Sequence, residues 1–367
     1  MEKKILHPLI LLLGFFLLIY AARGQDPNYS QWLNAPLYYN PAYAGVNTGL
    51  RARFSYRDQW PSLPVDFRTC YFSADFGDRR LPGSGGIGLL INKDNEGIGF
   101  IRNLSVGLAI SVRIPITSYL VSQVGIKGVM VQKWLNWNDF VFSDQLSEKY
   151  GNIYTTSLNP PEDDRRLFPD FGVGGLLQFV TPEGNISGTA GFSVDHIFQP
   201  DESFLSISKS PLPRKYVGHV DLIISLGEGP SSSQNPVRGF SDPWKINPGI
   251  LYQNQNGLSS LQIGINVLKF NMYLGAYLKT TALYGSSTSL MLLAGYRYLV
   301  ADGMALKFMY SYDMLVAGNI QGAGGAHEIS LFLEFKNLRI FSKAKTEECP
   351  AIEQPDRKLY SLECSPF

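Results

Sequence analysis

The sequence is poor in charge, in cysteine and in long apolar runs, and each shortage excludes something. Asp, Glu, Lys and Arg make up 17% of its 367 residues, where an ordinary soluble domain carries about 25%. The 32 basic and 31 acidic residues nearly cancel, leaving a formal charge of +1. A nucleic-acid binder would show a basic excess, so no nucleic-acid partner is expected. Beyond the extreme N-terminus no apolar run approaches the ~20 residues of a spanning helix, which excludes a polytopic helical membrane protein. The cysteines, Cys70, Cys349 and Cys364, form no C-x-x-C and no metal-ligand spacing. Cys349 and Cys364 stand equally open to pairing or to remaining thiols. His196, His219 and His327 make no pair at ligand spacing, and there is no G-x-S-x-G or P-loop. No cofactor, metal or enzymatic activity is expected.

What is there points to β structure: 13% aromatic residues and 36 glycines. A disordered chain would carry more charge and fewer aromatics. The remaining choice is a large soluble β protein or an outer-membrane barrel. The N-terminus favours export. A basic start, Lys3-Lys4, precedes the apolar run Leu9–Tyr20, and Ala22 and Gly24 follow as small residues. Residues 1–24 therefore read as a secretory signal peptide, the apolar run being too short to span a bilayer.

Period-two alternation recurs along the rest of the chain. Leu104, Val106, Leu108, Ile110 and Val112 alternate with Ser105, Gly107, Ala109, Ser111 and Arg113. Leu261, Ile263, Ile265 and Val267 alternate with Gln262, Gly264 and Asn266; Ile329, Leu331, Leu333 and Phe335 with Glu328, Ser330 and Glu334. Segments of ~10–12 residues match tilted spanning strands, whereas globular strands average ~5–6. Aromatics near segment ends suit interfacial girdles. The polar parity carries Arg51, Arg53, Arg57, Arg113 and Lys127, odd in a dry core and normal in a wet lumen.

The pattern predicts an all-β fold, a transmembrane antiparallel β-barrel of about 14 strands over residues 50–337. A periplasmic or plug-like N-terminal segment (25–49) precedes it, and a periplasmic tail (338–367) follows. Residues 133–169 form the longest external loop, with Trp134, Trp137 and the acidic Glu162, Asp163 and Asp164; 199–215 form a second, and 228–244 a periplasmic stretch. His327 and Glu328, adjacent on a strand, point to opposite faces. His219 and Asp221 share a face, but no nucleophile accompanies them.

The segment after the leader reads QDPNYSQWLNAPLYYNPAYAGVN. Gln25, Asp26, Pro27, Ser30, Gln31, Pro36, Asn40, Pro41 and Gly45 in it resemble the N-terminal signature of the PorP/SprF family. The resemblance continues with Arg57, Gln59 and Trp60 in YRDQWP, with Tyr312 and Asp313 in SYD, and with His327 and Glu328 in AHEISL, where Ala326 replaces a serine.

That resemblance implies an outer-membrane accessory component of type IX secretion, linked to gliding motility. Its partners would be secreted adhesin-type cargo, other secretion components and outer-membrane lipid. Arg51, Arg53, Arg57, Arg113 and Lys127 would contact cargo in the lumen, with an exposed strand edge adding cargo by β-augmentation. The signature segment would pack inside or beneath the barrel. Two alternatives stay open: a passive porin, for which fourteen strands are wide enough unless plugged, and a structural anchor for the secretion motor.

Overall fold

The computed structural model describes residues 26–64, 66–78, 84–97, 101–147, 149–161, 163–204, 209–226, 244–282, 287–301, 303–317 and 324–335. The leader, Gln25, Glu162, residues 228–243 and the tail with Cys349 and Cys364 lie outside the described residues.

In chain order the strands are β1 (Gly49–Gln59), β2 (Phe67–Gly77), β3 (Ser84–Glu96), β4 (Ile101–Pro115), β5 (Leu120–Leu135), the two-residue β6 (Leu146–Ser147) and β7 (Gly151–Asn152), β8 (Arg165–Val180), β9 (Ile186–Asp195), β10 (Lys215–Leu226), β11 (Trp244–Gln255), β12 (Leu258–Lys269), β13 (Met272–Ala282), β14 (Ser287–Ala301), β15 (Met304–Ala317) and β16 (Ala326–Phe335). All but β6 and β7 join one closed antiparallel barrel of fourteen strands. β1 closes on β16 from Leu50 opposite Phe335 to Gln59 opposite Ala326. The expected strand edge for β-augmentation is thus absent from the described wall, because closure pairs both end strands.

The alternation sorts the two faces as lipid demands. Leu108, Ile110 and Val112 are exposed on the outer wall, while Ala109 and Ser111 between them are buried. Phe54, Ile263, Leu274, Phe308 and Leu331 share the outer face. Trp244, Phe270, Tyr296 and Tyr298 ring one end, and Tyr216, Tyr252 and Phe171 stand near the other, the two girdles of an interfacial anchor. Tight turns close the first end: 116–119 and 270–271 each join neighbouring strands there. The long connections 136–164 and 196–214 lie at the opposite end, which faces the exterior in barrels of this kind. A two-residue hairpin, Asn256-Gly257, takes φ of 54° and 82°, the left-handed pair that suits strand twist.

The fourteen strands fall where alternation places them, with shifts at the outer end. β5 runs on to Leu135 and β8 begins at Arg165, Trp134 pairing with Arg165. The long loop is therefore 136–164 rather than 133–169, and Trp134 belongs to the wall. β9 stops at Asp195 because His196 turns left-handed at φ 56° and leaves the ladder.

The N-terminal segment sits as a plug rather than beneath the barrel. It lies inside the barrel, and it starts at the long-loop end. The Asp26 backbone N–H donates to the Gln255 side chain at 3.0 Å, at the outer end of β11. The chain then runs the length of the lumen to Gly49, where β1 begins at the opposite end. Tyr29, Trp32, Leu37, Tyr39 and Ala44 form the buried core with the wall residues Tyr71, Leu90, Ala109, Val217 and Leu251. The segment occupies the lumen.

Candidate functional site

The filled lumen is where the chemistry-bearing residues converge. Pro36 opens a single helical turn, Pro36–Tyr39, its missing N–H costing nothing at that position. Asn40 ends the turn and caps the next, its side-chain oxygen accepting from Ala42 N–H at 2.9 Å. Its amide also donates to the Gly175 carbonyl at 3.1 Å. The segment bears on the wall so closely that only glycine fits at several wall positions. A Cβ on Gly125 would stand 2.6 Å from the Ala42 nitrogen. Gly45, at φ +60°, packs against Gly86, where a Cβ would meet the Gly45 Cα at 2.4 Å.

Three sets of polar contacts fasten the segment. In the first, Ser30 meets Arg57, Asp313 and Glu328. The Ser30 backbone N–H donates to Glu328 Oε2 at 2.7 Å, and its hydroxyl donates to Asp313. Arg57 Nη1 donates to Ser30 Oγ and, at 3.0 Å, to Asp313, and lies 3.6 Å from Glu328. Gln31 Nε2 donates to Ser311 Oγ at 3.0 Å and to the Glu328 carbonyl at 2.9 Å. Glu328 is 1% exposed. Two buried carboxylates on one guanidinium are tolerable only with such added hydrogen bonds. Motifs from opposite ends of the sequence thus meet in one contact.

In the second, His196 bridges two carboxylates. Its Nδ1 lies 2.8 Å from Asp170 and its Nε2 2.8 Å from Asp26. Lys215 Nζ lies 3.4 Å from the same Asp26 oxygen and donates to Tyr38 OH at 3.1 Å. Burial opposes charge on His196, but the carboxylates of Asp26 and Asp170 outweigh it and push the imidazole up to about 10. Burial likewise opposes charge on Asp26, and His196 and Lys215 reverse that, holding its carboxyl well below the usual range. In the third, Lys127 Nζ donates to the Tyr38 carbonyl at 2.7 Å and pairs with Asp195 at 3.0 Å. Lys307 Nζ donates to Asn34 at 3.0 Å.

The expected cargo contacts have other partners. Arg51 pairs with Glu334 at 3.2 Å, Arg53 with Asp75, Arg57 with Asp313, and Lys127 with Asp195. All four cations are buried, so the barrel's own carboxylates occupy the groups that a cargo strand would need. Arg113 is half-buried near the turn end of β4. Gln59 accepts from Arg57 at 3.1 Å; Trp60 lies at the outer rim, its ring 5.1 Å from Phe67. Tyr312 and His327 lie together on the lipid-facing side, their rings 4.8 Å apart. His219 seats the segment: it stacks on Tyr43 at 5.2 Å, and Asn40 Nδ2 lies 3.3 Å from its Nε2. Sequence reasoning missed His196, Asp170 and Lys215 as a group. Parity marks Lys215 and Asp170 as inward, but nothing local says that Asp26 will lie between them. Above the segment, at the outer mouth, a vestibule of about 500 Å³ remains.

Residues 21–333 match the family described as type IX secretion system membrane protein PorP/SprF. The chain belongs to that family. Its barrel, with an apolar outer wall and aromatic girdles, places this PorP/SprF member in the outer membrane. No curated protein matches the sequence. Among solved structures, CdiB from Acinetobacter baumannii is 8% identical at a TM-score of 0.41, covering 79% of this chain and 60% of that one. The Acinetobacter baumannii outer membrane protein Omp33 is 7% identical at 0.36, covering 79% of this chain and 99% of that one. BamA from Haemophilus ducreyi, lacking POTRA domains 1–3, is 7% identical at 0.37, covering 78% and 70%. This chain thus spans 60% of the CdiB chain it matches.

Proposed function

We propose that this PorP/SprF protein is a plugged platform of type IX secretion that binds adhesin-type cargo on its outer face and holds it for export or surface attachment, in support of gliding motility. The observation that carries the reading is the filled lumen. A barrel whose bore is occupied by its own signature segment is a poor channel, so binding must use the mouths and loops. The outer loop 136–164 supports this. Trp137 and Phe142 lie 5.0 Å apart in it, and Val141, Leu146, Tyr150, Ile153 and Tyr154 are exposed around them. Exposed apolar patches of that kind mark protein-interaction surfaces. The cargo contact therefore moves from the lumenal cations to the loop face, and Arg57 and Lys127 keep the plug seated. Cleavage of the leader after Gly24 and contact with other secretion components belong to the same reading.

Replacing loop 136–164 by a short turn, in a chain that still folds, tests it. The expected result is loss of cargo co-purification and of surface-retained cargo, with the amount of barrel in the outer membrane unchanged. Cargo retained at the wild-type level would contradict the proposal. The porin alternative would instead show as steady ohmic conductance.

A further inference from the structure

We propose that Lys279 and the hydroxyls around it form an anion-binding site in the outer vestibule, and that the anion is a carboxylate of a secreted polypeptide. The inference rests on the cargo reading and adds the chemistry of one contact to it.

β13 places Lys279 on the inner face, in step with the buried Tyr273 and Tyr277. Its neighbour on β14 is Ser289. One step nearer the mouth, Thr281 lies opposite Ser260 on β12 and Ser287 on β14. All five side chains line the vestibule. The lumenal cations Arg51, Arg53, Arg57, Lys127 and Lys215 each have a carboxylate within 4.0 Å. Among the described residues Lys279 has no ion pair and no hydrogen bond. The carboxylates whose field reaches it, Asp313 and Glu328, are already held by Arg57.

An ammonium brings three donors and no acceptor, and one withdrawn from bulk water without a partner is costly. The four hydroxyls donate as readily as they accept. A carboxylate oxygen entering this ring gains a charge-assisted bond from Lys279 and neutral bonds from its neighbours. The facing wall selects the charge of the guest. Asp94 and Glu96 of β3 line the same vestibule, and a phosphate dianion meets their repulsion at twice the strength that a single carboxylate does. A space of about 500 Å³ takes a short peptide segment, being within the usual range for ligand pockets. Trp60 on the rim offers it a ring surface.

The test uses the full-length protein in detergent micelles at low salt. The probes are a fluorescent hexapeptide of Gly, Ser and Thr with one internal Glu, its Gln counterpart, and inorganic phosphate and acetate as competitors. The wild type is expected to prefer the Glu peptide by roughly tenfold, the scale of one charge-assisted bond. Lys279→Met abolishes that preference, Lys279→Arg retains it, and heat-modifiable gel migration shows each variant folded. Equal affinity for the two peptides, or a preference that survives Lys279→Met, overturns the site. Phosphate displacing the Glu peptide more effectively than acetate overturns the carboxylate assignment. Cargo co-purification is read on the same samples. Cargo absent from a wild type that keeps the peptide preference counts against the cargo reading alone; cargo equally bound by Lys279→Met counts against this site as its anchor.

Discussion

Arg57 holds together three stretches that lie far apart in sequence. It joins Ser30 of the threaded segment to Asp313 of β15 and Glu328 of β16. Removing the guanidinium leaves two carboxylates buried without their cation, a loss of about 3–5 kcal/mol when one partner of a buried pair is deleted. Arg57→Met should therefore lower the chemical-denaturation midpoint of the barrel sharply. Arg57→Met combined with Asp313→Asn and Glu328→Gln should recover much of the loss, since the stranded charges go with it. A triple variant no more stable than the single one would contradict this account. The motif residues themselves were legible as a resemblance. That they meet was not, because the ladder partner of Arg57 is Glu328 only once β1 has closed on β16, and closure is a property of the whole sheet.

At the scale of elements, the strands were readable because lipid enforces alternation on every outward residue. The strand limits at Leu135 and Arg165 were less so, since both lie past the apolar belt where alternation no longer pays. The inner face was misread for a physical reason. Inward charge suits a water-filled lumen and a lumen packed with polar chain equally well. Wall glycines such as Gly125 look like ordinary strand glycines until a second backbone is laid across them. The segment's outer end is clamped by His196 between Asp26 and Asp170, and this gives a pH signature. The folded-state imidazole titrates near 10 against an ordinary value of 6.5. Its stabilisation is therefore complete below about pH 6.5 and is lost as pH rises through about 10. Asp26, depressed in the fold, adds stabilisation above its ordinary value near 3.8 that fades as pH falls below it. The gap in thermal midpoint between the wild type and His196→Gln should be widest near pH 6 and shrink as the solution is taken to pH 10. A gap independent of pH across that range would exclude the charged bridge.

At the scale of the molecule, the architecture is a closed barrel around its own N-terminal segment, with the long described loops 136–164 and 196–214 at the outer end. On the proposed reading the wall anchors the chain in the membrane, the segment closes its bore, and the outer mouth presents its loops and vestibule to partners. The measurement that bears most directly on this account is the conductance of the intact, purified protein in planar bilayers. The account predicts no steady open state for the wild type, and ohmic steps once residues 26–47 are deleted. Stable ohmic conductance by the wild type, equal to that of the deletion, would contradict it.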